Sequence, residues 1–526
     1  MWSLGNESGW GSNFGMEYDY AKAEDPTRPV IFSCGCGDSD PAIKTDIVSV
    51  HYPSFNGPFG GESKPVLDDE YAPLPAVTID QGEQRRDPNV ENWWGETLQR
   101  LWPKVFTAPG ALGGAIWAGI DDSFLAPNGP AGYGEWGLLD VWRRPRPEYW
   151  LTQKAYSPVR ITDGPLAWPV ASKTVQIPVG NWFDFTNLDE TRIAWSAGGQ
   201  SGTITGPNVA PHANGTISIP ISSLNPNDVL DLKITRGGEL IDEYRLPFQP
   251  GDSPTTIDPT VSDSAPAPKL SEDASHVTVT GSDFQVRFSK ATGLIDDAAL
   301  NGSTLIASGP YLNLVGANGG SPLQPWTLDG ISAQPHAGTI VVTIRGHYGT
   351  VDVTFTVTID GNAQLSTTYT IGHPPAGSYA EVGVTYLVPD TVNQVDWSRK
   401  ALWSAYPADH IGRPTGTATK TGDNNQYGVA PTAPWSQDDK QYALFGKNDP
   451  GGRGSIDFRA AKQNIYYASA IAAGSTARLR AESNGTDSVR LETAQARLGL
   501  SNAATGPCST QKCIDDADPS ITYTGT

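Results

Sequence analysis

Two glutamates have the setting that proton transfer and nucleophilic attack require. Glu7 sits in Gly5-Asn6-Glu7-Ser8-Gly9, and Glu70 closes the run Val66-Leu67-Asp68-Asp69-Glu70 just before Tyr71. At the C-terminal ends of parallel barrel strands, side chains from different strands converge on one face. Two carboxylates meeting there can act as proton donor and nucleophile in glycoside hydrolysis. Nine of the 16 tryptophans fall in the first 150 residues, and indole faces stack well on sugar rings. Each feature has a plainer reading on its own. A glutamate beside a glycine-rich turn is most often solvated, and tryptophan is most often core.

The elements around these residues must place them. Val30-Ile31-Phe32, Ile47-Val48-Ser49-Val50, Pro65-Val66-Leu67 and Ala115-Ile116-Trp117 are short, largely apolar runs ending in polar or glycine-rich segments. Such runs suit strands buried on both faces of a parallel sheet. From Asn92 to Phe106 the apolar residues Trp94, Leu98, Leu101 and Val105 are spaced by four, three and four, which predicts a helix. Phe14 to Glu24 is a second, weaker helix. Residues 1–157 therefore read as an α/β barrel or a doubly wound sheet. Residues 158–247 change to period-two alternation, as in Val175-Gln176-Ile177-Pro178-Val179, Thr216-Ile217-Ser218-Ile219 and Leu230-Asp231-Leu232-Lys233-Ile234. That predicts a small antiparallel β-sandwich. Residues 248–270 are rich in Pro, Ser, Thr and Asp and read as a linker. Alternation returns over 271–500, as in Val351-Asp352-Val353-Thr354-Phe355-Thr356-Val357, and predicts one large β-sandwich. The tail, 501–526, is expected to be poorly ordered.

Composition narrows the partners. The 526 residues include 57 acidic against 36 basic side chains, a formal charge of −21. That balance repels a phosphate backbone and an anionic membrane surface, so nucleic acid and membranes are excluded as expected partners. No run of 18 apolar residues is present, so no membrane-spanning helix is expected. The 57 Gly and 43 Pro, about a fifth of the chain, favour turns and β-structure. Four cysteines do not make a disulfide scaffold. Cys34 and Cys36 read as lone thiols. Cys508 and Cys513 could close a small loop, a weak pointer to a periplasmic or secreted setting.

Several motifs together resemble glycoside hydrolase family 2, the β-galactosidase and β-glucuronidase family. Trp2-Ser3-Leu4-Gly5-Asn6-Glu7-Ser8-Gly9 resembles its acid/base signature on barrel strand four. Ser49-Val50-His51-Tyr52-Pro53 resembles strand six, Val66 to Tyr71 the nucleophile strand, and Gly113-Gly114-Ala115-Ile116-Trp117 strand eight. Lys154-Ala155-Tyr156-Ser157-Pro158-Val159 resembles the exit from the barrel. Downstream, Asn181 to Leu188 is similar to the sandwich after the barrel. Asp283 to Phe288, Thr292-Gly293-Leu294-Ile295 and Asp457-Phe458-Arg459 are similar to the terminal sandwich of the β-galactosidase branch.

The resemblance implies a multidomain fold, α/β plus all-β. Its parts are strands four to eight of a (β/α)8 TIM barrel, an Ig-like β-sandwich, and a large galactose-mutarotase-like β-supersandwich. It implies a retaining exo-β-glycosidase acting on terminal β-linked sugars of an oligosaccharide or polysaccharide. The long C-terminal part favours β-D-galactosides, since family glucuronidases usually end soon after the barrel. Glu7 is the implied acid/base and Glu70 the nucleophile, and the negative charge of Glu70 helps keep the proton on Glu7. Tyr52 is implied to orient Glu70, Asn6 to bind the sugar 2-hydroxyl, and Trp117 to form the sugar platform. His51 and Asp121 are further candidate substrate contacts. Set against these roles, Tyr52 and His51 could simply pack, Trp117 could wedge between strand and helix, Asn6 could cap the next segment, and Asp121 could be a solvated loop residue.

Two departures from the family pattern matter. Pro73 stands where the galactosidase branch commonly has a sugar-contacting histidine, which leaves a β-glucuronide or another polysaccharide unit as an alternative substrate. A divalent cation, magnesium, in the full-length parent would use Glu7 and ligands upstream of it, and nothing upstream is in this sequence. The sequence itself requires no cofactor. If Glu7 lies on strand four, three βα units, roughly 100 residues of a barrel of about 250, precede the chain in its parent. A five-stranded remnant leaves open edges, so the isolated chain is expected to be poorly soluble, with low or no activity. Homo-oligomers are possible. A non-catalytic carbohydrate-binding protein built on the sandwiches is the rival from another class.

Overall fold

Short apolar runs become parallel strands, and the period-two runs become antiparallel ones. A computed structural model describes residues 1–33, 43–53, 56–57, 59–61, 63–71, 89–134, 137–166, 174–225, 228–248, 265–316, 321–420, 429–438, 454–474, 476–492, 497–501, 514–517 and 523–525. Contacts divide the chain into two compact units. One comprises Met1–Gln84, Val90–Ser157 and Gly428–Ala430, and the other the remainder. Pro73, the four cysteines and most of the 248–270 linker lie outside the described residues.

In the first unit, β1 (Trp2–Asn6) pairs in parallel with β2 (Val30–Ser33) across α1 (Ser12–Glu24). A second parallel sheet joins β3 (Val48–His51), β4 (Val66–Tyr71) and β5 (Ala111–Ile116). Main-chain bonds from Asp46 and Ile47 to the carbonyl of Val30, at 2.8 and 3.3 Å, tie β2 to the approach to β3. The Asp46 carboxylate strengthens this seam. It accepts the Val30 N–H at 2.9 Å, the Tyr18 hydroxyl at 2.9 Å and the Lys22 ammonium at 3.1 Å, so it fastens α1 to the strands it connects.

The helix predicted over Asn92–Phe106 forms as α2 (Val90–Thr107). Its residues Leu98, Leu101 and Val105 are buried with Tyr71, Phe59 and Ala155, while the Trp94 side chain lies outside the described set. α3 (Pro147–Ala155) packs closely on α2. A Cβ on Gly95 would stand 2.2 Å from Leu151 Cδ1, so only glycine allows the two helices this approach.

The strand predicted around Ala115-Ile116-Trp117 begins earlier, at Ala111, and stops one residue before Trp117. A hairpin of β6 (Asp122–Ala126) and β7 (Gly129–Gly134), turning at Pro127-Asn128, replaces the loop expected after it.

In the second unit, seven strands, β8 (Val159–Arg160), β9 (Thr174–Asn181), β10 (Arg192–Ala197), β11 (Gln200–Thr205), β12 (Asn214–Pro220), β13 (Val229–Arg236) and β14 (Glu239–Pro247), build two sheets. Their orders are β11-β10-β13-β14 and β12-β9-β8. The alternating Val175, Ile177, Val179, Ile217, Ile219, Leu230, Leu232 and Ile234 fill the space between them. The Tyr244 hydroxyl bridges across, donating to the Val159 carbonyl at 2.9 Å and accepting the Ile161 N–H at 3.3 Å.

Among the described residues beyond this small sandwich, a ten- and a five-stranded sheet enclose a core that includes Val342, Ile344, Phe355 and Val357, and a four-stranded sheet packs a second core with Val395, Trp397 and Ala468. Ser404 links this region to the small sandwich. Its hydroxyl accepts the Arg245 N–H at 2.9 Å, and its amide donates to Asp163 at 2.6 Å. Part of the tail differs from expectation. Ile514–Ala517 and Tyr523–Gly525 add to existing strands, because an open strand edge offers unpaired N–H and C=O groups to any nearby extended segment. Among the described residues no helix is long and apolar enough to cross a membrane.

Candidate active site

The strand ends bring together residues far apart in sequence. Glu7 follows β1 and Tyr52 follows β3, both in the left-handed backbone region, with φ of 47° and 49°. Non-glycine residues occupy that region at a cost of roughly 1–2 kcal/mol, so the surroundings must hold them there. The Glu7 amide donates to the Ser33 carbonyl at 2.8 Å, and the Tyr52 amide donates to the Glu70 carbonyl at 2.7 Å. These bonds fix both turns onto the neighbouring strands.

A bulge in β4 does the rest. Val50 pairs with Asp68 but His51 pairs with Glu70, so Asp69 is an extra residue in the ladder. Such an insertion re-aims side chains that strict alternation would send to opposite faces. Asp69 and Glu70 both reach His51. The ring Nδ1 stands 3.3 Å from Asp69 Oδ1, and Nε2 stands 3.0 Å from Glu7 Oε1 and 3.2 Å from Glu70 Oε2. The Ser49 hydroxyl donates to the other Asp69 oxygen at 2.7 Å, and Tyr52 donates from its hydroxyl to Glu70 Oε2 at 2.6 Å. Burial pulls the imidazole toward its neutral form. The hydrogen bond with Glu7 and the charges of Glu70 and Asp69 outweigh that pull and raise its pKa above the ordinary value.

One oxygen each of Glu7 and Glu70 and a ring nitrogen of His51 lie within 4.8 Å of one another. Glu70 is sheltered, at 12% side-chain exposure, whereas Glu7 is open at 61%.

The other sequence candidates fare differently. Asn6 ends β1 with its side chain exposed, and it does not cap α1, whose N-cap is Gly11. Trp117 follows β5 directly and is 41% exposed, so it is not wedged between strand and helix. Tyr71 pairs with Ile116, which sets Trp117 at the same strand edge as Glu70.

His51, a candidate sugar contact, stands among three carboxylates. Asp121 needs correction as a substrate contact. Its side chain is sealed against Arg146 at 2.6 Å and accepts the Gly137 N–H at 2.9 Å, both in the buried base of the hairpin. Burial pushes its pKa up to about 6 against the pull of that guanidinium. A carboxylate committed in this way has no oxygen to offer a sugar.

Asp69 was missed in the sequence. The available signal was Ser49 and His51 two apart on one strand, opposite an acidic run. Asp68 also differs from its neighbours. It is 1% exposed on the side of β4 that carries Tyr71 and the helices, neither of its oxygens has a hydrogen-bond partner among the described residues, and burial lifts its pKa to about 7.

Magnesium fits these residues poorly. It takes near-octahedral oxygen ligands and retains several waters, whereas the group containing Glu7 presents two carboxylates and an imidazole.

Residues 1–72 match the family model described as "Glycosyl hydrolases family 2, TIM barrel domain". A β-galactosidase of Lactococcus lactis subsp. lactis is 32% identical over 151 residues, 26% of this chain and 14% of that protein. A β-galactosidase of Psychromonas ingrahamii is 23% identical over 497 residues, 78% of this chain and 46% of that protein. The chain thus spans less than half the length of these relatives. Among solved structures, a β-glucuronidase from glycoside hydrolase family 2 aligns over 70% of this chain and 38% of its own, at 13% identity and a TM-score of 0.24, too loose a superposition to support an argument. The family-2 barrel match thus falls on residues 1–72, within the first unit, and β-sandwiches follow that unit in the chain.

Proposed function

We propose that this chain carries the two reacting carboxylates of a retaining exo-β-glycosidase whose substrates are terminal β-D-galactosides. The observation that carries the reading is the approach of Glu7 and Glu70, one oxygen of each within 4.8 Å. Retaining enzymes place their carboxyl groups about 5–5.5 Å apart, and inverting ones leave room for an intervening water.

In this reading Glu70 attacks the anomeric carbon while Glu7 passes its proton to the departing glycosidic oxygen. The bond to the leaving group breaks as the ester to Glu70 forms. Glu7, now a carboxylate, takes a proton from water, whose oxygen attacks the same carbon and releases Glu70. Tyr52 holds the attacking oxygen of Glu70 in line through its 2.6 Å hydrogen bond. Asn6 binds the 2-hydroxyl, and Trp117 supplies the apolar platform under the ring. His51 balances the two carboxylates when no sugar separates them.

The galactoside assignment is supported by the β-galactosidase relatives, one of which aligns over 78% of this chain, well beyond the barrel segment. The test is mass spectrometry of the full chain after incubation with a 2-deoxy-2-fluoro-β-galactosyl fluoride. The expected result is one added fluorogalactosyl group on the peptide holding Glu70, absent from Glu70→Gln. Labelling of a different carboxylate would overturn the mechanism. Labelling of Glu70 only by the fluoroglucuronyl reagent would overturn the sugar.

A further inference from the structure

The donor set at the strand ends suits a cation of a different kind from magnesium. We propose that Glu7, His51 and Glu70 form a binding site for a borderline divalent transition cation of the Zn2+ class, and that occupation of this site withholds both carboxylates from substrate. The binding itself stands on geometry alone; the consequence for turnover rests on the glycosidase reading.

Three observations carry it. The first is the spacing of the donors. Zinc bonds to nitrogen and carboxylate oxygen of about 2.0–2.2 Å in a tetrahedron put neighbouring donors roughly 3.3–3.6 Å apart. The His51 nitrogen stands 3.0 Å from Glu7 and 3.2 Å from Glu70, and the third edge is within 4.8 Å. Glu7 is the exposed member, so a small swing of its side chain closes that edge.

The second is the support behind the histidine. Asp69 faces Nδ1 and is itself held by Ser49, so Nε2 is aimed at the two glutamates. A carboxylate behind the distal ring nitrogen is the arrangement that fixes metal-binding histidines and raises their basicity.

The third is the ligand chemistry. Imidazole with carboxylates suits zinc and its neighbours, and three protein donors leave a fourth position open to water. His51 and Glu70 are about nine-tenths buried while Glu7 faces solvent, which gives the cation a protected seat and an entrance.

The experiment is isothermal titration of the full chain with ZnCl2, repeated with Co2+ to read the visible bands of a tetrahedral ion. One site per chain is expected. His51→Gln and Glu70→Gln should abolish it. Asp69→Asn, which keeps all three donors, should weaken it by the roughly 10–100-fold typical of losing a partner behind a ligand. His212→Asn, at an exposed histidine of the small sandwich, should leave it unchanged. Folding of each variant is checked by its thermal transition, and Asp69→Asn carries the test if His51→Gln does not fold. Zinc binding that is absent, that is equal in wild type and Asp69→Asn, or that is lost in His212→Asn would overturn the proposal. Because binding is read directly, its failure leaves the fluorosugar result intact, and failure of labelling leaves the binding result intact.

Discussion

At the scale of single residues, the site depends on hydrogen bonds that hold charged groups in unusual positions. The Tyr52 hydroxyl meets Glu70 at 2.6 Å, and bonds to charged groups contribute about 1.5–3 kcal/mol. Tyr52→Phe should therefore slow fluorosugar labelling of Glu70 by roughly 10- to 150-fold, with little change in thermal stability. An unchanged labelling rate would show that the tyrosine only packs.

Asp68 gives a second prediction. Its pKa is about 7 in the folded chain and about 3.9 in an unfolded one. Below about pH 4 both states hold the proton, and above about 7 neither does. Between those limits only the folded state keeps it, so stability falls as pH rises, at no more than about 1.4 kcal/mol per pH unit from this group. Asp68→Asn should flatten that part of the stability curve in denaturant melts. An unaltered slope would mean that Asp68 ionises as it would in water. The sequence marked Glu7, Glu70 and Tyr52 through their neighbours. It could not separate Asp68 from Asp69, because their opposite fates follow from a bulge that exists only once β3 and β4 pair.

At the scale of elements, hydrophobic spacing was the legible signal. Leu98, Leu101 and Val105 predicted α2, and the structure buries all three. The short apolar runs predicted β2, β3 and β4 to within a few residues. Two features were not legible. The β6–β7 hairpin has a poor alternating pattern, rich in Gly and Pro, and it is built around the buried Asp121–Arg146 pair, whose partners are 25 positions apart. The end of β5 at Ile116 leaves Trp117 free of the strand, and apolar character alone places Trp117 inside it.

Packing of the helices gives the prediction at this scale. Gly95→Ala sets a methyl against the Cβ and Cδ1 of Leu151, at 2.3 and 2.2 Å before any relaxation. Overpacking of this kind costs about 1–3 kcal/mol. The expected outcome is a lower thermal midpoint for the transition of the first unit. A midpoint equal to wild type would show that α2 and α3 separate freely.

At the scale of the whole molecule, the chain combines a parallel βα array with sandwiches whose alternation was plain from sequence. Val175, Ile177 and Val179 face inward as their period requires, and so do Val353, Phe355 and Val357. The contacts that join sandwich sheets to each other and to the next region were hidden, because they run through single polar atoms. Tyr244 is one such atom-scale link, and Ser404 is another. Tyr244→Phe removes both of these buried hydrogen bonds, to the Ile161 amide and the Val159 carbonyl. It should destabilise the second unit by about 1–3 kcal/mol, read as a shift of its denaturant midpoint.

The formal charge of −21 suits a neutral partner better than a phosphate polymer. The chemistry is set in the first unit. There one histidine, His51, stands among three carboxylates, Glu7, Asp69 and Glu70, and offsets part of their charge.

In the proposed glycosidase reaction, the approach of Glu7 and Glu70 calls for retention of configuration, and stereochemistry is directly visible. Proton NMR of the first sugar released from an aryl β-galactoside, taken before mutarotation, reads it in one spectrum. The account predicts the β-anomer first, formed by two inversions at the same carbon. Initial release of the α-anomer would contradict it.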